Sequence, residues 1–371
     1  MNEPSDITKL LQSALASLQS GKLPEAQSVL EQALAMDPAQ FDAIRLLGVT
    51  FGRQGDFGTA FEWFSKAAQI KPESARIHHD LGISLGAMGD FDRATESLHL
   101  AVRLYADPSE AYATLGDLHL TMGRPATAAE CYEKAVKGNP ALSSAQAGLT
   151  RLKAEEKDLN TLLELIRKRE PANTPGSSTV AETKLPRRQL LPELLNRLGL
   201  TGSGVEIGVQ RGDFSSVLLR NWKGDRLISI DPWREFPADD YIDVANVPQE
   251  SHDLFYRLTL KRLMPFGSRS VVWRLTSIEG IELIPDQSLD FCYLDGDHSL
   301  EGVREDLRHW ITKVKPGGIL AGHDYIPDGR YEFGVFGVKG AVDEFITRQN
   351  LRLFLTNEKD TPFYSWFVVV S

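Results

Sequence analysis

A step of 34 residues governs the first 140 or so positions. Glycine recurs at Gly21, Gly55, Gly89 and Gly123, and alanine at Ala26, Ala60, Ala94 and Ala128. A second alanine series, Ala33, Ala67, Ala101 and Ala135, keeps the same phase. Pro38, Pro72 and Pro140 fall in register, and the proline due near Ala106 is displaced to Pro108. Such a period means stacked units, each covering the apolar face its neighbour leaves bare. Each unit reads as a helix pair. Small residues sit where the helices cross, and Phe64, Leu98 and Tyr132 fill the gaps. The glycine lets the chain turn, and the proline stops the second helix. A terminal unit needs a polar cap, and the charged, helical stretch 143–170 is expected to supply it.

The second unit carries the fullest pattern: Leu47-Gly48, Phe51, Ala60, Phe64, Ala67 and Pro72. It resembles the tetratricopeptide repeat. Leu81-Gly82 and Leu115-Gly116 continue the pattern, whereas the first unit has Ser13-Ala14 at that place. The resemblance implies an all-α solenoid over residues 7–170, four repeats plus the capping helix. Such a solenoid binds a protein or peptide on its concave face, or packs on a neighbour or a second copy, giving a homo-oligomer.

Residues 171–186, opening Pro171-Ala172-Asn173-Thr174-Pro175-Gly176, break every period and read as a linker. Beyond it the grammar changes. An amphipathic helix over 187–198 precedes apolar runs at Gly204–Val209, Arg226–Ile230, Val271–Leu275, Leu289–Leu294 and Gly318–Ala321. Helices near Ser215–Arg220 and Leu300–Lys313 separate them. Alternation of this kind predicts an α/β doubly wound, Rossmann-like parallel sheet over 187–371. Leu351–Leu355 and Tyr364–Val370 lie too close for a crossover and predict an antiparallel edge.

The first of these strands runs into Glu206-Ile207-Gly208-Val209-Gln210-Arg211-Gly212, which is E-x-G-x-x-x-G and not the dinucleotide G-x-G-x-x-G. The second ends at Asp231, where a carboxylate can take both hydroxyls of a ribose. With LDGDHSLEGVREDL, VKPGGILAGHDY and GVKGAVDEF in order, the last 170 or so residues resemble a class I S-adenosylmethionine-dependent methyltransferase. The branch they resemble includes macrolide-sugar and aminocoumarin O-methyltransferases. The resemblance implies that Glu206, Gly208 and Gly212 contact the methionine part and that Asp231 holds the ribose. It also places Trp233 beside the adenine, Ser277 at the adenine edge, and Asp295 at the cofactor.

Asp295 and Asp297 follow the fourth strand, and His323 and Asp324 the fifth. Parallel neighbours end on one edge, so Asp295 and Asp324 are expected to converge. Oxygen ligands with an open position suit a divalent ion, Mg²⁺ by preference. His323 stands where relatives in this branch carry a carboxylate, which favours Zn²⁺ or Fe²⁺ instead, or a metal-free site. His298, His323 or Asp297 is then the general base that takes the proton of an acceptor hydroxyl. His252 and His309 read as packing or solvent-facing residues. About forty residues between Asp231 and the third strand exceed one crossover. This insert carries Arg234, Phe236, Asp239, Asp240, Tyr241, Phe255 and Tyr256, and is read as a lid or a packing surface. Tyr331, Phe333 and Phe336 are expected to wall the acceptor pocket.

The 371 residues predict two or three domains, and 42% hydrophobic content is enough for real cores. No run of eighteen apolar residues occurs, so no spanning helix is expected. The opening MNEPSDITKL has no secretory pattern, and the two cysteines, Cys131 and Cys292, form no disulfide framework. A reducing, cytoplasmic setting is expected. The net charge of -10 argues against non-specific nucleic-acid binding. Together these features predict an O-methyltransferase for a sugar or natural-product-like small molecule or glycan. The alternatives are a repeat scaffold with a regulatory nucleotide domain, and a protein or carboxyl methyltransferase.

Overall fold

Gly21, Gly55, Gly89 and Gly123 adopt φ of +72°, +83°, +78° and +71°. A side chain is strained there, so the 34-residue step of glycine is a step of helix ends. The computed structural model describes residues 6–168, 180–181, 184–237, 241–357 and 363–371. In the repeats the helices pair as α1 (Asp6–Gln19) with α2 (Leu23–Met36), and α3 (Phe41–Arg53) with α4 (Phe57–Ile70). The pairs α5 (Ala75–Ala87) with α6 (Phe91–Leu104) and α7 (Ser109–Thr121) with α8 (Pro125–Gly138) complete the set. Asp56 caps α4 through the Thr59 amide at 3.0 Å, which satisfies one orphan donor of its first turn. A Cβ at Gly48 would run into the Phe64 ring, so the small residue and the large one are complementary halves of one crossing. Ala14 is fully buried, so the atypical first unit packs like the others.

The chain divides into two compact units, Met1–Leu152 and Lys153–Ser371. The division falls inside α9 (Ser143–Lys168) and not within 171–186. Ala145, Leu149 and Leu152 of α9 pack on Ala128, Tyr132 and Ala135, as a cap should. Its second half behaves otherwise. Leu159, Leu162, Leu163 and Ile166 are buried in one cluster with Leu190, Leu191, Leu194 and Leu195 of the second unit. Glu155, also buried, takes a bidentate ion pair from Arg187, with Nη2 at 3.1 Å. The stripe that the sequence offered as a solvated cap is therefore apolar where it counts. Residues 169–179 and 182–183 of the expected linker lie outside the described residues. Val180 and Leu185 bridge to Leu353 and Thr356 at the sheet edge.

The second unit opens with a short 3-10 turn (Arg188–Leu190) and α10 (Leu191–Arg197). Its strands are β1 (Ser203–Ile207), β2 (Arg226–Ile230), β3 (Ser270–Trp273), β4 (Leu289–Leu294) and β5 (Val314–Gly322). A small hairpin, β6 (Gly329–Tyr331) and β7 (Gly334–Phe336), stands apart from the main sheet, and β8 (Phe354–Leu355) and β9 (Trp366–Val369) complete the set. The helices are α11 (Asp213–Asn221), α12 (Gln249–Leu263), α13 (Ser277–Glu282), α14 (Leu300–Lys313) and α15 (Val338–Gln349). The main sheet runs β3-β2-β1-β4-β5-β9-β8, parallel through β5, with β9 antiparallel to β5 and β8 antiparallel to β9. Apolar clusters cover both faces, which is why β4 is buried along its whole length.

The register decides where chemistry can occur. Ile207 pairs with Ile230 and with Leu294, and Leu294 pairs with Gly322. The next residues, Gly208, Asp231, Asp295 and His323, therefore emerge level at the carboxyl edge. The strand order reverses between β1 and β4, and the crevice of a doubly wound sheet opens there.

Candidate active site

A cavity of about 520 Å³ occupies that crevice. This is within the roughly 300–1,000 Å³ of small-molecule sites. Glu206, Gly208, Asp231, Ser277, Asp295, Asp297 and His298 all line it. Gly208 has φ +80°, and a Cβ there would overlap the backbone carbonyl of Asp295. Only glycine lets β1 and β4 close to this distance and leaves the backbone bare toward the cavity. Gly212, at φ +72°, caps α11.

Asp231 ties this loop down. One oxygen accepts from the amides of Val209 (3.0 Å) and Gln210 (2.9 Å), the other from Trp233 (2.7 Å). Burial pushes the Asp231 carboxyl up, and these three donors work against that shift. Trp233 departs from the expectation. It is fully buried, does not line the cavity, donates from Nε1 to the Gln210 carbonyl at 2.7 Å, and packs on Tyr256. An indole is large enough to fill the space beneath the loop, and here it braces the loop from behind. Thr259 and Arg262 of α12 brace it as well, donating to the carbonyls of Gln210 and Arg211.

The Ser277 hydroxyl donates to Asp306 and accepts from Trp310 Nε1 at 2.8 Å. Burial pushes Asp306 up to about 7. Burial also pushes Glu206 up to about 8, against the Ser215 hydroxyl that donates to it. The folded chain thus holds a proton that the unfolded chain has lost above about 4.5. That contribution to stability is fully present below about pH 4.5 and is gone once the pH has risen through about 8. Glu206→Gln is therefore expected to match the wild type in thermal melts at pH 5 and to melt several degrees higher at pH 8.5. Equal melting at both values would show that Glu206 titrates normally.

Past the ends of β4 and β5 two imidazoles stand among three carboxylates. His298 Nδ1 lies 2.7 Å from Asp243 Oδ2, and Nε2 lies 2.9 Å from Asp324 Oδ2 and 3.9 Å from Asp295 Oδ1. The ring stacks on Phe336 at 4.9 Å. Burial works against the charged imidazole, yet Asp243, Asp295 and Asp324 raise His298 well above its ordinary value. His323 Nδ1 pairs with Asp324 Oδ1 at 2.8 Å and is raised for the same reason. In spite of burial, the two imidazoles hold Asp324 well below the usual carboxylate range. His323 does not reach the main cavity. Asp297 does, and it is exposed, with Oδ1 accepting from the Ser299 amide at 2.8 Å.

Asp295, His298 and Asp324 offer ligand atoms within 4.8 Å of one another. His298 Nε2 is buried there with no hydrogen bond of proper geometry. The donor set, two carboxylates and an imidazole, fits a divalent cation. The convergent set contains His298 where the sequence suggested His323.

The insert divides in two. Phe236 and Tyr241 line the cavity, and Tyr241 Oη donates to the Gly296 carbonyl at 3.1 Å. Phe255 and Tyr256 pack around Trp233. Asp239 and Asp240 lie outside the described residues. Tyr331, Phe333 and Phe336 do not line the cavity; they cluster behind His298. His252, read from sequence as a packing or solvent-facing residue, is buried and borders the cavity. Asp243 carried no sequence signal, because nothing in the insert's pattern marks a carboxylate that turns toward His298. Arg188, which also lines the cavity, was equally invisible.

Comparison with known proteins agrees with this division. Residues 205–325 match a methyltransferase domain family, and residues 11–75 and 79–145 match the tetratricopeptide repeat. The chain therefore carries tetratricopeptide repeats over 11–145 followed by a methyltransferase domain over 205–325. A methyltransferase domain of this kind implies S-adenosylmethionine as methyl donor. Among solved structures, MamA is 23% identical over 39% of this chain and 80% of its own, with a TM-score of 0.35. A thermophilic repeat protein of Thermus thermophilus is 22% identical over 41% and 84%, TM-score 0.38. Pseudomonas aeruginosa pilF is 24% identical over 52% and 84%, TM-score 0.38. No curated protein matches. No helix among the described residues is long and apolar enough to cross a membrane.

Proposed function

We propose that the chain is an S-adenosylmethionine-dependent O-methyltransferase acting on a hydroxyl of a sugar or natural-product-like small molecule, with the repeats binding a protein partner or a second copy. The observation that carries this reading is one continuous cavity lined by Glu206, Gly208 and Asp231 together with Asp295, Asp297 and His298. Asp231 holds the ribose hydroxyls, Glu206 and the bare backbone at Gly208 take the methionine part, and Ser277 meets the adenine edge. The bound donor supplies an electrophilic methyl on a sulfonium. The protein's own work is alignment and proton transfer. Asp243 fixes the Nδ1–H of His298, Phe336 holds the ring plane, and His323 steadies Asp324. His298, once neutral, takes the acceptor proton on Nε2 as the oxygen attacks the methyl; the electron pair of the broken bond stays on sulfur. Asp295, His298 and Asp324 would hold a divalent cation, which would supply Lewis-acid polarisation of the hydroxyl, and Asp297 would then be the carboxylate left to take the proton. Cys131 and Cys292 are buried and unpaired, consistent with the cytoplasm as the place of action.

The test is calorimetric titration with S-adenosylhomocysteine, for wild type and Asp231→Ala, before and after chelation. Micromolar binding that falls at least tenfold in the variant is expected, followed by transfer of labelled methyl to a hydroxyl acceptor panel. A folded wild type that does not bind would overturn the reading.

A further inference from the structure

Every large apolar side chain that the second unit leaves exposed lies between Ile242 and Leu283; the rest of its described residues contribute none. Scattered exposed apolar residues are ordinary, and it is apolar side chains side by side on one element that mark an interaction surface. The stretch surrounds β3, the open edge of the main sheet, with α12 before it and α13 after it.

The occupant follows from α12. Its inward face carries His252, Phe255, Thr259 and Leu263, all buried. Its outward face, at helical spacing, reads Glu250, Leu254, Arg257, Leu258 and Lys261, all exposed. Leu254 and Leu258 are 46% and 41% exposed, as one turn of a stripe with nothing over it. The acid stands at the N-terminal end, the amine at the C-terminal end, and the leucines between them. Two copies of such a face laid antiparallel, with the twofold axis at the level of Tyr256, put Leu254 of each beside Leu258 of the other. The same placement brings each Glu250 within one residue, about 1.5 Å along the axis, of the level of the other copy's Lys261. The leucines and the end charges are their own complement, as an isologous interface requires, while the two Arg257 side chains meet near the axis and must splay apart into solvent.

We infer that two copies of this chain associate through the outward face of α12, antiparallel about a twofold axis. The inward face of the same helix braces the loop at Gln210 and Arg211, so association adds rigidity to the cofactor end.

The whole chain is studied by sedimentation equilibrium. The wild type is expected to be a dimer at micromolar concentration, and Leu254→Asp/Leu258→Asp a folded monomer that still binds S-adenosylhomocysteine. Glu250→Lys and Lys261→Glu are each expected to weaken association at least tenfold, and Glu250→Lys/Lys261→Glu together to restore it to within about threefold. Arg257→Cys lies near the axis and is expected to cross-link to its own copy on mild oxidation, since both native cysteines are buried. A monomeric wild type overturns the inference. A dimer that survives the leucine variant overturns it as well, because another surface then makes the contact. Failure of the charge swap to restore association overturns the antiparallel register.

Discussion

Gly208→Ala is expected to weaken S-adenosylhomocysteine binding at least a hundredfold and to lower the melting temperature of the second unit by roughly 5–15 °C. Two costs add. A side chain at φ +80° carries backbone strain of about 1–3 kcal/mol. Its Cβ also meets the Asp295 backbone carbonyl, and a backbone atom cannot swing aside as a side chain can. Overpacking of this kind costs about 1–3 kcal/mol more. For a domain of this size each kcal/mol moves the melting temperature by about 2–4 °C. Gly212→Ala is the built-in control. It has a similar φ, +72°, but the nearest atoms to its Cβ belong to the Thr259 side chain, from 3.0 Å, and a shift of a few tenths of an ångström relieves that contact. Differential scanning calorimetry should rank Gly208→Ala well below Gly212→Ala. Equal losses would show that the approach of β1 to Asp295 is not the constraint.

His298→Ala is expected to lower the rate of methyl transfer about 10²–10⁴-fold, the usual contribution of a positioned general base. Binding of S-adenosylhomocysteine should stay within about twofold, since the ribose is assigned to Asp231 and His298 pairs with Asp243 and Asp324 instead. Asp243→Asn should fall between wild type and His298→Ala in rate, because it loosens the hold on Nδ1 without removing the ring. The kinetics are measured with the acceptor that the labelled-methyl screen identifies. Should chelation abolish transfer and Asp297→Asn cost more than Asp243→Asn, the proton goes to Asp297 and His298 serves as a ligand. A His298→Ala enzyme with wild-type turnover would remove His298 from the chemistry altogether.

The elements that the sequence made legible are those whose signal is local. Arg226–Ile230, Leu289–Leu294 and Leu300–Lys313 form β2, β4 and α14 with the expected bounds. Each is an apolar run or an amphipathic period closed by turn residues, and both sheet faces are covered, so nothing competes with the pattern. α12 was not legible as a helix with one buried face. Leu254, Leu258 and Leu260 stand exposed on it and blur the contrast that a period needs. The hairpin of β6 and β7 was missed because three-residue strands carry too few positions for any period to register.

The site divides along the same line. Gly208 and Asp231 stand just past strand ends, with Glu206 two residues back inside β1, and the parallel register alone brings Gly208 and Asp231 level. Trp233 shows the limit, since three residues past a strand end a ring can face the ligand or the core, and only packing on Tyr256 settles it. The choice between His298 and His323 shows it again. His323 follows β5 directly and His298 lies four residues past β4, but Asp243, 55 residues before His298 in sequence, holds the more distant of the two at the cavity.

The sequence by itself determined the repeat period, the parallel sheet and the residues that stand at its carboxyl edge. These depend on spacing, on strand-end position and on where glycine is tolerated, which are properties of the chain near each residue. Only the tertiary structure decided that the second half of α9 joins the second unit, that Trp233 turns inward, and that Asp243 meets His298. Each depends on which distant surfaces are left to be covered once the strands have paired, and no local pattern encodes that remainder.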